Sequence, residues 1–460
     1  MRRISMLLLP ILTCMGSLGA DLLNAYVTNT NGAVGSPGTF VSIVDLTTNK
    51  VEGYVDCTDF DLTHPIDLLF NSDSSKAYVV CDTVNSVFVI NTTLNKVVGK
   101  VDDTLNPFSD PATFEVNLLS TPNIGYVSNF TGTGGRGSIS IIDMSVDVVT
   151  GTVDDTLAPV NFPINIGISD DATKFYVANF NGASGAKVSI VNPATNKATG
   201  YVDDSAHPFV TPFFIGWSGS TKAYISDIDN GMGSGFVNVV LSSTNKVTGT
   251  VSTTGFPPFV EPANIIEGPD GKIYITDIGN NNVYVVDPTT DAVIHTLTGT
   301  FSFPIGVAIT TDNQTAYVAN NTNNTVSIVD VATHTQTGVV DATGFPFFGP
   351  FQMQILSTPI PPIPPILLSV PLRPICIQGK QKTDRFLDQS DLYNTISWCA
   401  SPSLETTKYH LYRNGVLIQT IAAGDSLTFE EHNVSGTIVY SVTAVNASGK
   451  ESPAVTVSLP

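Results

Sequence analysis

The sequence predicts an all-β protein: a seven-bladed β-propeller of four-stranded blades closed by a C-terminal strand, followed by a small Ig-like β-sandwich. Three observations predict it. A cassette anchored on Tyr26, Tyr78, Tyr126, Tyr176, Tyr224, Tyr274 and Tyr317 recurs at spacings of 43 to 52 residues, and each period holds the four short strands of a blade. Apolar and polar positions alternate in Val41-Ser42-Ile43-Val44-Asp45 and Val326-Ser327-Ile328-Val329-Asp330, the period of a strand and not of a helix. The turns Thr48-Asn49-Lys50, Thr195-Asn196-Lys197 and Thr244-Asn245-Lys246 each place a residue tolerant of left-handed backbone in a tight hairpin.

In chain order, residues 1–20 read as a signal peptide. Arg2 and Arg3 precede an apolar run from Ile4 to Met15 and the small-residue stretch Gly16 to Ala20, too short for a spanning helix. Cys14 lies in this leader, but Thr13 beside it fits a lipidation motif poorly. The expected mature chain is exported to the periplasm, the cell surface or the medium, with no transmembrane segment. Residues 21–359 form the propeller. Each cassette runs from an apolar stretch after a proline, through a tyrosine strand, a Gly/Asn loop and a V-x-I/V-x-D strand, to an outer G-x-V-D strand. The chain begins on a tyrosine strand and ends its repeats on an orphan post-proline strand, Phe351 to Ser357. That strand is expected to pair with the first tyrosine strand, so that no blade edge stays open. Residues 360–374 form a proline-rich spacer, and 375–460 the sandwich, where Asn414-Gly415 is a two-residue hairpin signal.

The segments Ala25-Tyr26-Val27-Thr28-Asn29, Tyr176-Val177-Ala178-Asn179 and Tyr317-Val318-Ala319-Asn320 resemble the signature of the YVTN family of β-propeller repeats, over about residues 22–359. In that family the post-proline strand is innermost in its blade and the tyrosine strand is second. Ile396-Ser397-Trp398, Tyr409 to Gly415 and Val439 to Asn446 resemble strands B, C and F of a fibronectin type III domain. That resemblance implies Trp398 as a core anchor and Tyr440 as the corner tyrosine.

Charge narrows the partners. The formal net charge is −20, and removing Arg2 and Arg3 with the leader makes it −22; residues 21–369 hold 11 basic against 32 acidic groups. That sign disfavours nucleic acid and anionic membrane and favours cations or basic proteins. Four cysteines outside the leader fall into two local pairs, Cys57 with Cys81 and Cys376 with Cys399. Export permits two disulfides; two pairs of buried thiols is the alternative.

Repetition marks three sets of candidate residues. The position three after each tyrosine, Asn29, Cys81, Asn129, Asn179, Asp227, Asp277 and Asn320, suits satisfying a loop backbone; so do Asp45, Asn91, Asp143, Asn192, Asp287 and Asp330. Asp56, Asp102, Asp103, Asp154, Asp155, Asp203, Asp204 and Asp341 end the outer strands, and Phe60, Phe108, Phe209, Phe259 and Phe347 follow them. On one face these would either blunt strand ends and cap blade interiors or form an acidic, aromatic binding rim. At the channel mouth the second residue after the inner-strand proline is Asp67, Asn165, Phe214, Asn264, Gly306 and Gln352, with Glu115 near the irregular second blade; of these, Asp67, Glu115, Asn165 and Asn264 offer hard oxygen ligands that suit Ca²⁺ or Mg²⁺, with no cofactor required.

No H-E-x-x-H, G-x-S-x-G or phosphate-cradling glycine motif is present, and His64, His207, His295, His334, His410 and His432 lack metal-ligand spacing. The expected function is a non-catalytic recognition scaffold that binds an extracellular or envelope protein or glycan through the rim. The alternatives are a metal-assisted lyase or lactonase-like channel enzyme, by analogy with other propellers, and a structural envelope protein.

Overall fold

The computed structural model describes residues 24–30, 40–132, 135–180, 186–228, 234–356, 377–386, 389–398, 406–422, 427–432, 434–446, 451–452 and 454–460. The leader, the proline-rich spacer, Cys376 and Cys399 lie outside them. The chain divides into two compact units, Met1–Pro359 and Ile360–Pro460.

Among the described residues, the first unit holds seven four-stranded antiparallel sheets. The inner strands of blades one to seven are Pro350–Ile355, Pro65–Phe70, Pro111–Asn117, Pro163–Ile168, Pro212–Ser218, Pro262–Glu267 and Pro304–Ile309. The tyrosine strands beside them are Asn24–Asn29, Lys76–Cys81, Ile124–Asn129, Phe175–Asn179, Lys222–Asp227, Ile273–Asp277 and Thr315–Asn320. Blade one closes as expected: Pro350–Ile355 pairs antiparallel with Asn24–Asn29, Tyr26 opposite Gln354. Each inner strand starts with proline, whose missing N–H falls where the ladder has not yet begun.

Within a cassette, the residues divide the work of joining the ring. The tyrosine side chain is buried and its hydroxyl crosses to the next blade, to the left-handed residue of the turn before the outer strand. Tyr126 donates to Asn196 Oδ1 at 2.8 Å, Tyr176 to Asn245 at 2.7 Å and Tyr317 to Asn49 at 2.7 Å; Tyr26, Tyr78 and Tyr224 reach Asn95, Asp147 and Asp291 in the same way. The turn residues therefore do more than tolerate φ near 50°: they accept a hydrogen bond from the tyrosine of the preceding blade, 70 residues upstream for Asn196 and, across the closure, 268 residues downstream for Asn49. Two residues on, a hydroxyl at Thr28, Ser128, Ser226 or Thr276 receives an inner-strand N–H where the ladder bulges.

The next position is the Asx set, and it holds the loop backbone as expected. Asn29, Asn129, Asn179 and Asn320 accept the N–H of the residue two before the inner-strand proline and donate to Ser42, Ser140, Ser189 and Ser327 on the third strand. Asp227 and Asp277 have no amide to donate and instead capture two successive N–H groups, Val210 with Thr211 and Val260 with Glu261. The residue before the proline is left-handed in the four Asn blades, at Gly349, Asp110, Phe162 and Phe303; in the two Asp blades it is not among the residues with positive φ.

Cys81 occupies this position in blade two. It is fully buried and its sulfur faces the Thr63 backbone, while Cys57 packs half-buried against the same core. Both are free thiols. The expected Cys57–Cys81 disulfide is not shown in the structure; Cys81 stands where the other blades carry an Asx residue, its thiol pushed well above its ordinary pKa by burial.

The second unit is a sandwich of a three-stranded sheet, ordered Ile377–Phe386, Gln389–Trp398, Thr428–His432, and a four-stranded sheet, ordered Val416–Ala422, Thr406–Arg413, Ile438–Asn446, Val455–Leu459. Trp398, Tyr409, Leu411, Tyr440 and Val442 share its core. Asn414 and Gly415 both have positive φ, as the hairpin signal requires. The Tyr440 hydroxyl meets the side chains of Glu431 and Asn394. No helix among the described residues is long and apolar enough to cross a membrane.

Candidate functional site at the channel mouth

The outer-strand carboxylates stand where the chain passes from one blade to the next. Asp56, Asp102, Asp154, Asp203 and Asp341 each donate their N–H to the left-handed turn residue of the neighbouring blade and accept the N–H of the residue two further on, as in Asp203 N to Asn245 O and Val247 N to Asp203 O, both 2.9 Å. Their side chains cap the following turn. Four of them face the lysine of the adjoining turn, Asp203 with Lys246 at 2.9 Å and Asp154 with Lys197 at 3.3 Å among them. Asp103, Asp155 and Asp204 turn inward to accept the N–H of Phe108, Val160 and Phe209; Asp204 also holds Lys187 and Asp155 lies near Arg136. The rings that follow do not form exposed anchors: Phe108, Phe209, Phe259 and Phe347 are only 2–5% exposed. They fill the blade interiors, because the loop fold holds each against the apolar strands below it.

On the same face, at the axis, a cavity of about 270 Å³ opens where the inner strands begin. One wall is apolar and aromatic, with Ile164 from blade four and Phe213 and Phe214 from blade five, and Phe351 of blade one adds a ring beside Gln352. Phe213 and Phe214 meet edge to face at 4.9 Å, and Phe162, Phe130 and Phe180 continue the arc toward Phe213 at centroid spacings of 5.4 to 6.1 Å. The other wall is polar: His64, Asp67, Asp82 and Gln352 line it. His64 Nδ1 lies 2.7 Å from Asp82 Oδ1, which holds the imidazole above its ordinary pKa. Asp110, next to Asp82 in charge, is itself raised by burial and by that neighbour.

Sequence reading singled out Phe214 and Asp67 of this set but missed Phe130, Phe180 and Phe213. Their signal was present: Phe130 and Phe180 directly follow the Asx position, and Phe213 directly follows the inner-strand proline, both at the axial end of the blade.

Deeper in the channel, two of the four candidate metal ligands, Asp67 and Asn165, have their oxygens engaged by backbone N–H groups, while Asn264 Oδ1 is buried without a partner among the described residues. Asp67 Oδ1 accepts Leu68 N at 2.9 Å and Oδ2 accepts Phe114 N of the next blade at 2.8 Å. Asn165 Oδ1 accepts Ile215 N, again one blade on, at 2.9 Å. Asn264 donates to Gln352 Oε1 at 3.2 Å, reaching past blade seven, where Gly306 has no side chain; a Cβ there would stand 2.3 Å from Phe351 O. Glu115 makes no hydrogen bond among the described residues. Burial, then the Asp67 charge, pushes its carboxyl up to about 8, and burial alone raises Asp67 to about 6 against its two backbone donors. Among the described residues no three His, Cys, Asp or Glu side chains are placed to hold a metal ion.

The fold and site together define a seven-bladed propeller with an axial pocket on the loop face and a C-terminal β-sandwich. No family model and no curated protein matches the chain. Among solved structures it is similar to a candidate 6-phosphogluconolactonase of Bacteroides fragilis, with a TM-score of 0.52 and 15% identity over 74% of this chain and 100% of that one. A second, from Bacteroides uniformis, gives 0.51 and 15% over 73% and 99%. At such identities the likeness is one of fold.

Proposed function

We propose that the protein is an exported recognition module, periplasmic, surface-bound or secreted, whose YVTN-type propeller takes its ligand at the channel mouth and whose fibronectin type III-like sandwich is a spacer or second contact. The axial cavity carries this reading: it is concave, mostly apolar and set with a few polar groups, the general character of a ligand site. The outer rim, by contrast, has its carboxylates engaged between blades and its phenylalanines buried. The test is a thermal-shift panel of amines, sugars, lactones and carboxylates on wild type, Phe214→Ala and Phe209→Ala. A ligand that raises the wild-type Tm is expected to lose its effect in Phe214→Ala and keep it in Phe209→Ala, which is less stable by about 3 kcal/mol or more from the cavity it leaves. A ligand response that survives Phe214→Ala and disappears in Phe209→Ala would return the site to the rim.

A second reading, hydrolysis of a lactone, is favoured by one observation: Glu115 and Asp67 are neighbouring carboxyls with pKa values pushed apart, as acid and base partners need. Lactone turnover lost in Glu115→Gln would support it.

A further inference from the structure

Resting on the channel-mouth reading, we infer that the ligand group accepted there is an organic ammonium ion, primary or quaternary, carried by a small molecule or a basic side chain. Two independent features of the cavity point to it. The first is the aromatic wall. Phe213, Phe214 and Phe351 present half-buried rings to the cavity, and ring faces attract cations through their quadrupole, more strongly where water is excluded.

The second is the balance of donors and acceptors opposite that wall. Asp67 and Asp82 bring carboxylates to the lining, Asp67 with its two oxygens already held by the Leu68 and Phe114 N–H groups; His64 is the one basic group among them and is held by Asp82 Oδ1. Asp82 Oδ2 has no partner among the described residues. The hydroxyls of the lining are engaged, Thr30 with Gly349 and Asn321, Thr113 with Ser128. What remains for a ligand is the second carboxylate oxygen of Asp82, with the Gln352 side-chain amide as a donor in the lining. A neutral sugar would find few donors for its hydroxyl oxygens, and an anion would meet two carboxylates with only the Asp82-bound imidazole of His64 to offset them. An ammonium group satisfies both walls, and the acidic propeller favours its approach.

The experiment is isothermal titration of the full chain with choline and n-butylammonium, against the neutral isostere 3,3-dimethylbutan-1-ol and the anionic 3,3-dimethylbutanoate. The expected result is binding of at least one cation, with the neutral isostere weaker by about tenfold or more. Phe214→Leu, which keeps an apolar side chain without a ring face, and Asp82→Asn, which keeps an acceptor for His64 and the Thr83 N–H at a partly exposed position, should each weaken cation binding by roughly three- to tenfold. Equal binding of cation and neutral isostere, or cation affinity unchanged in both variants, would overturn the inference. If the neutral or anionic probe binds in a Phe214-dependent way and the cations do not, the ammonium assignment falls while the channel-mouth reading stands. If no probe, cationic or otherwise, depends on Phe214, both fall.

Discussion

A single side chain, the cassette tyrosine, shows how this propeller is held together. Six of the seven hydroxyls donate to an Asn or Asp in the turn of the following blade. At the blade six to blade seven junction the turn residue is His334, with the same left-handed backbone, and Tyr274 turns back to Asp270 at 3.4 Å. His334 instead stacks on His295 at 4.1 Å, and burial and that neighbour hold it below its ordinary pKa. Restoring the pattern with His334→Asn keeps a residue suited to this φ and supplies the missing acceptor. A net gain of about 1 kcal/mol is expected, read as a Tm rise of about 1–2 °C; a lower Tm in the variant would show that the histidine stack outweighs the hydrogen bond.

At the scale of the element, the inner strands bear the polar residues of the channel, and their pattern alternates between joining blades and facing the axis. Asp67 and Asn165 each reach the inner strand of the next blade, whereas Glu115 faces the channel with Asp67 as the charged group that raises it. The sign follows from linkage: an acid whose folded pKa lies above its unfolded value binds more protons when folded, so stability falls as pH rises between the two values. For Glu115 that window runs from about 4.3 in the unfolded chain to about 8 in the folded one, and for Asp67 it ends at about 6. Glu115→Gln removes the larger contribution. The variant should match wild type near pH 5, exceed its Tm by about 2 °C or more at pH 8.5, and show a flatter profile between; parallel Tm curves for the two proteins would place Glu115 in water.

For the whole molecule the decisive feature is closure. Blade one takes its inner strand from the far end of the repeats, Pro350–Ile355 against Asn24–Asn29. The closing strand also supplies Phe351 and Gln352 to the cavity and receives Asn264 across the ring. Ending the chain at Gly349 should open the edge of blade one and remove the sandwich with it. A second truncation, ending at Leu356, separates the two effects by keeping the strand. The shorter form is expected to aggregate or lose its cooperative transition while the longer one stays monomeric. Equal Tm and monomeric elution for both would mean that the ring does not depend on this strand.

Once each prediction is placed at its scale, the division between what was legible and what was not becomes physical. The sequence by itself determined the number of blades, the four strands of each, the register of the tight turns and the exchange of strands at closure. All of these rest on local periodicity and turn chemistry that seven copies repeat. Tertiary structure alone decided what those residues touch. Tyr126 and Asn196 are 70 positions apart, and the rim carboxylates look the same in sequence whether they face a partner or the neighbouring turn. Phe209 and Phe213 are both phenylalanines beside prolines, yet one fills a blade and the other walls a cavity. The difference is set by radial distance from the axis, which no single repeat encodes, because only the closed ring brings inner strands from blades one to five to a common pocket.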